Sequence, residues 1–91
     1  MIGKEPIILR IVTPERTVYD EEVNHVILPT IYAEEGIYHK HIPFLTSLKK
    51  GIIKIHLQDN EIVRAYIEPG IAQFRDNVLT VLLHDKPEIS I

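Results

Sequence analysis

The sequence predicts an all-β fold, an antiparallel β-sandwich of about eight to ten short strands, and three observations predict it. Isoleucine occurs sixteen times and valine seven times among 91 residues. Such β-branched side chains lose rotamer freedom in a helix and pack well on a pleated surface. Turn-forming residues recur at Gly51, Asp59-Asn60, Pro69-Gly70, Asp76-Asn77 and Pro87, a spacing of roughly seven to ten residues that suits short strands and leaves no room for helices. In 53–58, Ile53, Ile55 and Leu57 alternate with Lys54, His56 and Gln58, which is the period of a strand with one buried face. One sheet could not bury so much aliphatic surface, so two layers are expected.

Taken in order, the segment 7–13 sets Ile7, Leu9 and Ile11 on one face, and Pro14 turns the chain by presetting φ. Val18-Tyr19 and the run from Val23 to Leu28 supply the next strands, and Leu45 to Lys50 carries the one hint of helix, too short to be stable alone. The strand 53–58 pairs with Val63, Ala65 and Ile67 across Asp59-Asn60, whose short side chains tolerate positive φ. A second hairpin joins 70–75 to 78–83 across Asp76-Asn77, with Leu79, Val81 and Leu83 facing the core. Ile8 and Val12 lie opposite Leu9 and Ile11, and Leu82 opposite Val81; these outward aliphatics either lie inside, scatter over the surface, or form a patch that a partner covers. With no repeat, linker or low-complexity tract, residues 1–91 are expected to form a single domain.

Composition excludes several function classes. There is no cysteine, which removes disulfides, zinc thiolates and thiol nucleophiles. A net charge of −3 and a pI near 5.9 lack the basic excess that nucleic-acid binding needs. No apolar run reaches the roughly 20 residues of a membrane span, so direct membrane insertion is not expected. Ser47 and Ser90 are the only serines, outside any nucleophile-elbow pattern, and Gly3, Gly36, Gly51 and Gly70 are too dispersed for a phosphate-binding loop. His39-Lys40-His41 could offer two imidazoles from one face of an extended strand, as in a small metal-dependent β-barrel enzyme of the cupin type. That motif needs a carboxylate ligand shortly afterwards, and Ile42, Pro43, Phe44, Leu45 and Thr46 follow instead. His25, His56 and His84 are isolated in sequence, so neither a metal site nor a cofactor is expected. The run Asp20-Glu21-Glu22 reads as a solvated segment.

The stretch Glu34-Glu35-Gly36-Ile37-Tyr38-His39-Lys40-His41-Ile42-Pro43-Phe44-Leu45-Thr46, continuing through Gly51 to Ile55, resembles the signature of the F-type ATP synthase epsilon subunit family. Leu9 to Pro14, Val18-Tyr19, Pro69-Gly70 and Val78 to Leu82 fit as well, so the likeness runs from about Ile7 to Leu83. Ala33, Glu35, His39-Lys40 and Glu68 depart from the family pattern. The resemblance implies a non-catalytic rotor subunit of the central stalk, whose sandwich links the gamma subunit to the ring of c subunits and couples proton-driven rotation to ATP synthesis. It assigns Thr13, His41 and Thr46 to the gamma-facing side. Glu34 falls at the position facing the c ring, in an acidic loop whose Gly36 is expected to project the carboxylates outward, and Glu35 is expected to share that role. A location peripheral to the cytoplasmic face of a bacterial inner membrane is also implied. The family's C-terminal helical hairpin, associated with inhibition of ATP hydrolysis, has no counterpart in the eight residues after Leu83, so no inhibitory arm is expected.

Overall fold

The computed structural model describes residues 5–91. Ten strands run through them: β1 (Ile7–Val12), β2 (Thr17–Val23), β3 (His25–Pro29), β4 (Glu34–Ile37), β5 (Phe44–Leu48), β6 (Gly51–His56), β7 (Ile62–Ile67), β8 (Gly70–Arg75), β9 (Val78–Leu83) and β10 (Glu88–Ser90). They form two five-stranded sheets, ordered β2-β1-β9-β8-β5 and β10-β7-β6-β3-β4. The alternation seen in the sequence decides which face is inside. Ile7, Leu9 and Ile11 from β1 and Leu79, Val81 and Leu83 from β9 meet Val26, Leu28, Ile53, Ile55, Val63 and Ala65 of the other sheet, all buried. Among the described residues every buried side-chain nitrogen or oxygen has a hydrogen-bond partner, so the interior carries no orphaned polar group.

Two hairpins stand where the turn residues put them. Asp76 and Asn77 have φ of 53° and 65°, the pair of positive angles that a two-residue type I′ turn needs to match strand twist. The Asn77 side chain also donates from Nδ2 to the Pro6 carbonyl at 3.0 Å, which ties this turn to the start of β1. Asn60, at φ 73°, turns the β6-β7 connection.

The structure departs from the sequence reading in three places. The 45–50 segment is not helical. Instead β5 covers Phe44–Leu48 and pairs with β8 from Phe44↔Phe74 to Leu48↔Gly70, because a full ladder outweighs the weak helical preference of six residues. The 34–36 segment is a strand edge and not a loop, and no described glycine has positive φ. Finally, β1 and β9 pair in parallel, Ile8↔Val78 through Val12↔Leu82, while the other pairings are antiparallel. Two hairpins, β1-β2 and β8-β9, lie side by side here, and alternation carries no information on strand direction.

Gly70 opens β8 at a point where backbone approaches backbone. A Cβ on it would lie 2.6 Å from the Leu82 carbonyl oxygen and 2.7 Å from Leu83 Cδ2. The carbonyl belongs to the β9 ladder and cannot swing aside, so Gly70→Ala is expected to cost about 1–3 kcal/mol by overpacking. Urea unfolding would read this as a lower midpoint; an unchanged midpoint would mean that β8 can shift freely at its start.

Candidate functional site

Because alternate residues of the first sheet fill the core, the others form its outer face. Ser47 opposes Ile71, Ile71 opposes Leu82 and Leu82 opposes Val12, which sets a row of three apolar side chains across β8, β9 and β1. Leu45 joins them from β5 at 71% exposure, with Ile71 at 44% and Leu82 at 47%. Ile31 and Tyr32 add to the same surface from the β3-β4 turn, at 51% and 86%. Together these residues border a shallow hollow of about 460 Å³. On the far side of the sheet the Arg10–Asp20 ion pair, 3.4 Å, gives the apolar area a charged margin, the arrangement of an interface core inside a polar rim. A larger hollow, about 710 Å³, lies by Tyr66 and Pro87, and there Lys50, Glu68, Asp85, Lys86 and Glu88 alternate with Ile52 and Ile67, so its apolar area is broken up by charges of both signs.

Thr30 is what brings Ile31 and Tyr32 to this face. Its buried hydroxyl donates to the Ala33 carbonyl at 2.6 Å and accepts the amides of Tyr32 and Ala33 at 3.2 and 3.1 Å, the local bonding by which Ser and Thr hold turns. The Ile31 amide donates to the Ser47 carbonyl at 3.1 Å and the Lys49 amide to the Pro29 carbonyl at 2.9 Å. The turn is therefore clamped to β5, and one sheet's hairpin completes the other sheet's surface.

The expected gamma-facing residues do not converge on this surface. Thr13 is buried at the end of β1, next to Val12, and its hydroxyl donates to the Arg16 carbonyl at 3.2 Å. Thr46 lies on β5 opposite buried Ala72, on the core side of an edge strand. His41 precedes β5 and meets Phe44 and Phe74 edge-on, with centroids 5.3 and 6.0 Å away.

Glu34 and Glu35 point to opposite faces of β4, since successive strand residues alternate. Glu34 lies 3.7 Å from Lys54 Nζ on the outer face of the second sheet, whereas Glu35 lies 3.5 Å from His41 Nε2 at the seam between the sheets.

The histidine pair does not form a metal site. His39 meets Glu5 at 3.3 Å through Nε2 and Asn77 Oδ1 at 3.1 Å through Nδ1. His41 donates from Nδ1 to the Ile42 carbonyl at 2.8 Å and faces Glu35. Lys40 between them has φ 72°, which breaks the extended alternation that would have put both rings on one face. Among the described residues no three His, Cys, Asp or Glu side chains come together to hold an ion. A cupin-type enzyme at His39 and His41 is therefore not supported.

The family described as the ATP synthase delta/epsilon chain, beta-sandwich domain, matches residues 7–86. The chain belongs to this family. Among its relatives, the chloroplastic ATP synthase epsilon chain of Medicago sativa is 38% identical over 77 residues, covering 85% of this chain and 56% of the relative. The ATP synthase epsilon chain of Thermosynechococcus vestitus is 34% identical over 76 residues, covering 84% and 54%. The chain thus spans a little over half the length of the epsilon chains it matches. A chain of the Euglena gracilis mitochondrial ATP synthase, in its OSCP/F1/c-ring assembly, superposes with a TM-score of 0.84 at 21% identity, over 93% of this chain and 56% of that one. A chain in the central stalk and c-ring of the Tetrahymena thermophila enzyme gives 0.74 at 19%, over 91% and 66%. At these identities the two structures establish a shared fold.

Sequence reasoning picked out Val12 and Leu82 as outward aliphatics but passed over Thr30, Ile31, Tyr32, Leu45 and Ile71. Ile71 was legible from alternation with Ala72 and Phe74 in β8. Ile31 and Tyr32 were not, since nothing local to a turn says which sheet it will lie against.

Proposed function

We propose that this sandwich is a rotor subunit of an F-type ATP synthase, binding the gamma subunit on one side and the c ring on another, and doing no chemistry itself. Residues 1–91 form a single domain that transmits torque while proton flow drives rotation, with no cofactor of its own. The observation that carries the reading is the exposed apolar face of Leu45, Ile71, Leu82, Ile31 and Tyr32 on a domain of the delta/epsilon family. A surface that must resist shear needs apolar packing at its centre. Gamma covers this face, with Thr13, His41 and Thr46 around it, and the c-subunit loops meet Glu34 beyond the Tyr32 turn. The assembly is peripheral to the membrane, on the cytoplasmic face in a bacterium. Copurification tests this: the tagged chain, mixed with solubilised ATP synthase lacking its own epsilon subunit, is expected to retain gamma and the c ring. Recovery of neither overturns the reading.

Glu34 supplies a smaller test. An exposed carboxylate already sharing Lys54 contributes about 0.2–1 kcal/mol to a contact, so Glu34→Gln is expected to weaken ring attachment about 1.4- to 5-fold, more at low salt. Glu35→Gln should add little, because that carboxylate turns towards His41. Attachment untouched by Glu34→Gln at low salt would remove Glu34 from the ring contact.

A further inference from the structure

The outer face of the second sheet carries a stack of three rings that the reading above leaves unused. His25, first in β3, is registered against His56, last in β6. Their centroids are 4.1 Å apart with 18° between the planes. On its other side His25 stacks on Tyr38, just after β4, at 4.5 Å and 18°. A single row of rings therefore crosses β4, β3 and β6. Two parallel imidazoles cannot ligate one ion, because each nitrogen lone pair lies in its own ring plane.

Charge around the row is uneven. From β6 comes Lys54 and from β7 Arg64, and both cations act on His56; from β4 comes Glu34, turned to Lys54 at 3.7 Å. Among the described residues no carboxylate pairs with either imidazole. His25 donates from Nδ1 to Asn24 Oδ1 at 2.7 Å, which leaves Nε2 to receive a further proton. Where the stack ends, the Asn24 amide donates to the His56 carbonyl at 2.8 Å.

We propose that the Tyr38–His25–His56 stack is an acid-release clasp: with both imidazoles neutral it holds the β3-β4 hairpin, which carries Glu34, against β6, and protonating both rings opens the row. Two cations stacked face to face repel, and no acid is at hand to compensate. Burial, then His56, lowers the pKa of His25, and burial, then Lys54 and Arg64, lowers that of His56. With the folded values depressed, the unfolded chain takes protons first. The clasp's contribution is then whole above the ordinary histidine value of about 6.5 and is lost as pH falls below it. The clasp stands on the rings and the charges around them; that opening it would also move Glu34 at the c-ring contact rests on the proposed function.

Nuclear magnetic resonance titration of the isolated protein tests it without any partner. His25 and His56 are expected to titrate below about pH 6.5, and the Val26, Gly36 and Ile37 amides to shift with the same midpoint. His56→Phe keeps a ring in the stack but cannot take a proton, so it should raise the His25 midpoint and reduce the loss of Tm between about pH 7.5 and pH 5 by about 4 °C or more. His25→Phe, read on His56, is the mirror experiment should the first variant not fold. Ordinary midpoints in the wild type, β3-β4 amides that ignore the titration, or an acid loss of Tm equal in variant and wild type would each overturn the clasp.

Discussion

Leu82→Glu is expected to leave the sandwich folded and to lower its affinity for the gamma subunit about 30-fold or more. Leu82 points away from the core and stands between Ile71 and Val12 at 47% exposure. In the free domain its replacement touches only surface, where substitutions usually change stability by no more than about 0.5 kcal/mol. In the proposed complex with gamma the same position would lie at the centre of a desolvated apolar patch. A carboxylate buried there without a partner costs at least about 2 kcal/mol, which is the 30-fold. Calorimetric titration of gamma against wild type, Leu82→Glu and a control on the opposite sheet, Arg64→Gln, which lowers the net charge by the same single unit, separates a local effect from one of net charge. Ile71→Ala should weaken binding in the same direction, and its effect should not add to that of Leu82→Glu, since the two side chains are cross-strand neighbours. A folded Leu82→Glu variant with unchanged affinity would place gamma elsewhere and remove the observation on which the proposed function stands.

How far the sequence could be read follows from which physical signals are local. Burial on a strand has a period of two, so Ile53, Ile55, Val63, Ala65, Leu79 and Val81 could be assigned to the core from spacing alone, and all six are buried. Turn chemistry is also local, and Asp76-Asn77 took the positive φ that their short side chains allow. Direction and neighbourhood are not local. Nothing in Ile7–Val12 or Val78–Leu83 signals that β1 and β9 run in parallel, because both strands alternate in the same way whichever way they pair. The histidines show this limit most clearly. His39 and His41 are two positions apart in sequence and meet different partners, turned apart by Lys40. His25 and His56 are 31 positions apart in the chain and stacked, because a sheet register, set by the core residues beside them, brings them together. The same reasoning explains Glu34 and Glu35, which read as one acidic pair and belong to two different surfaces once β4 is a strand.

The largest effect on stability is expected from Leu79→Ala. Leu79 is wholly buried on β9, the middle strand of the first sheet, opposite Leu9 of β1 on one side and Phe74 of β8 on the other. Truncation there removes the transfer free energy of three carbons and leaves a cavity that strands held on both edges cannot close, about 2–5 kcal/mol. A domain of this size has only about 5–14 kcal/mol in all, and the chain contains no cysteine with which a disulfide could supplement it. Leu79→Ala should therefore lower the urea midpoint severely with the slope unchanged, the mark of lost stability without a change in the surface exposed. Leu79→Met, which conserves volume, should cost less than about 1.5 kcal/mol. On the proposed function, gamma binding to the folded state alone would restore part of the loss by mass action, so the variant is expected to be more stable with gamma than in isolation. A loss below about 1 kcal/mol for Leu79→Ala would mean that the two sheets can settle into the gap, and that the core is held by its hydrophobic pattern more than by the fit of individual side chains.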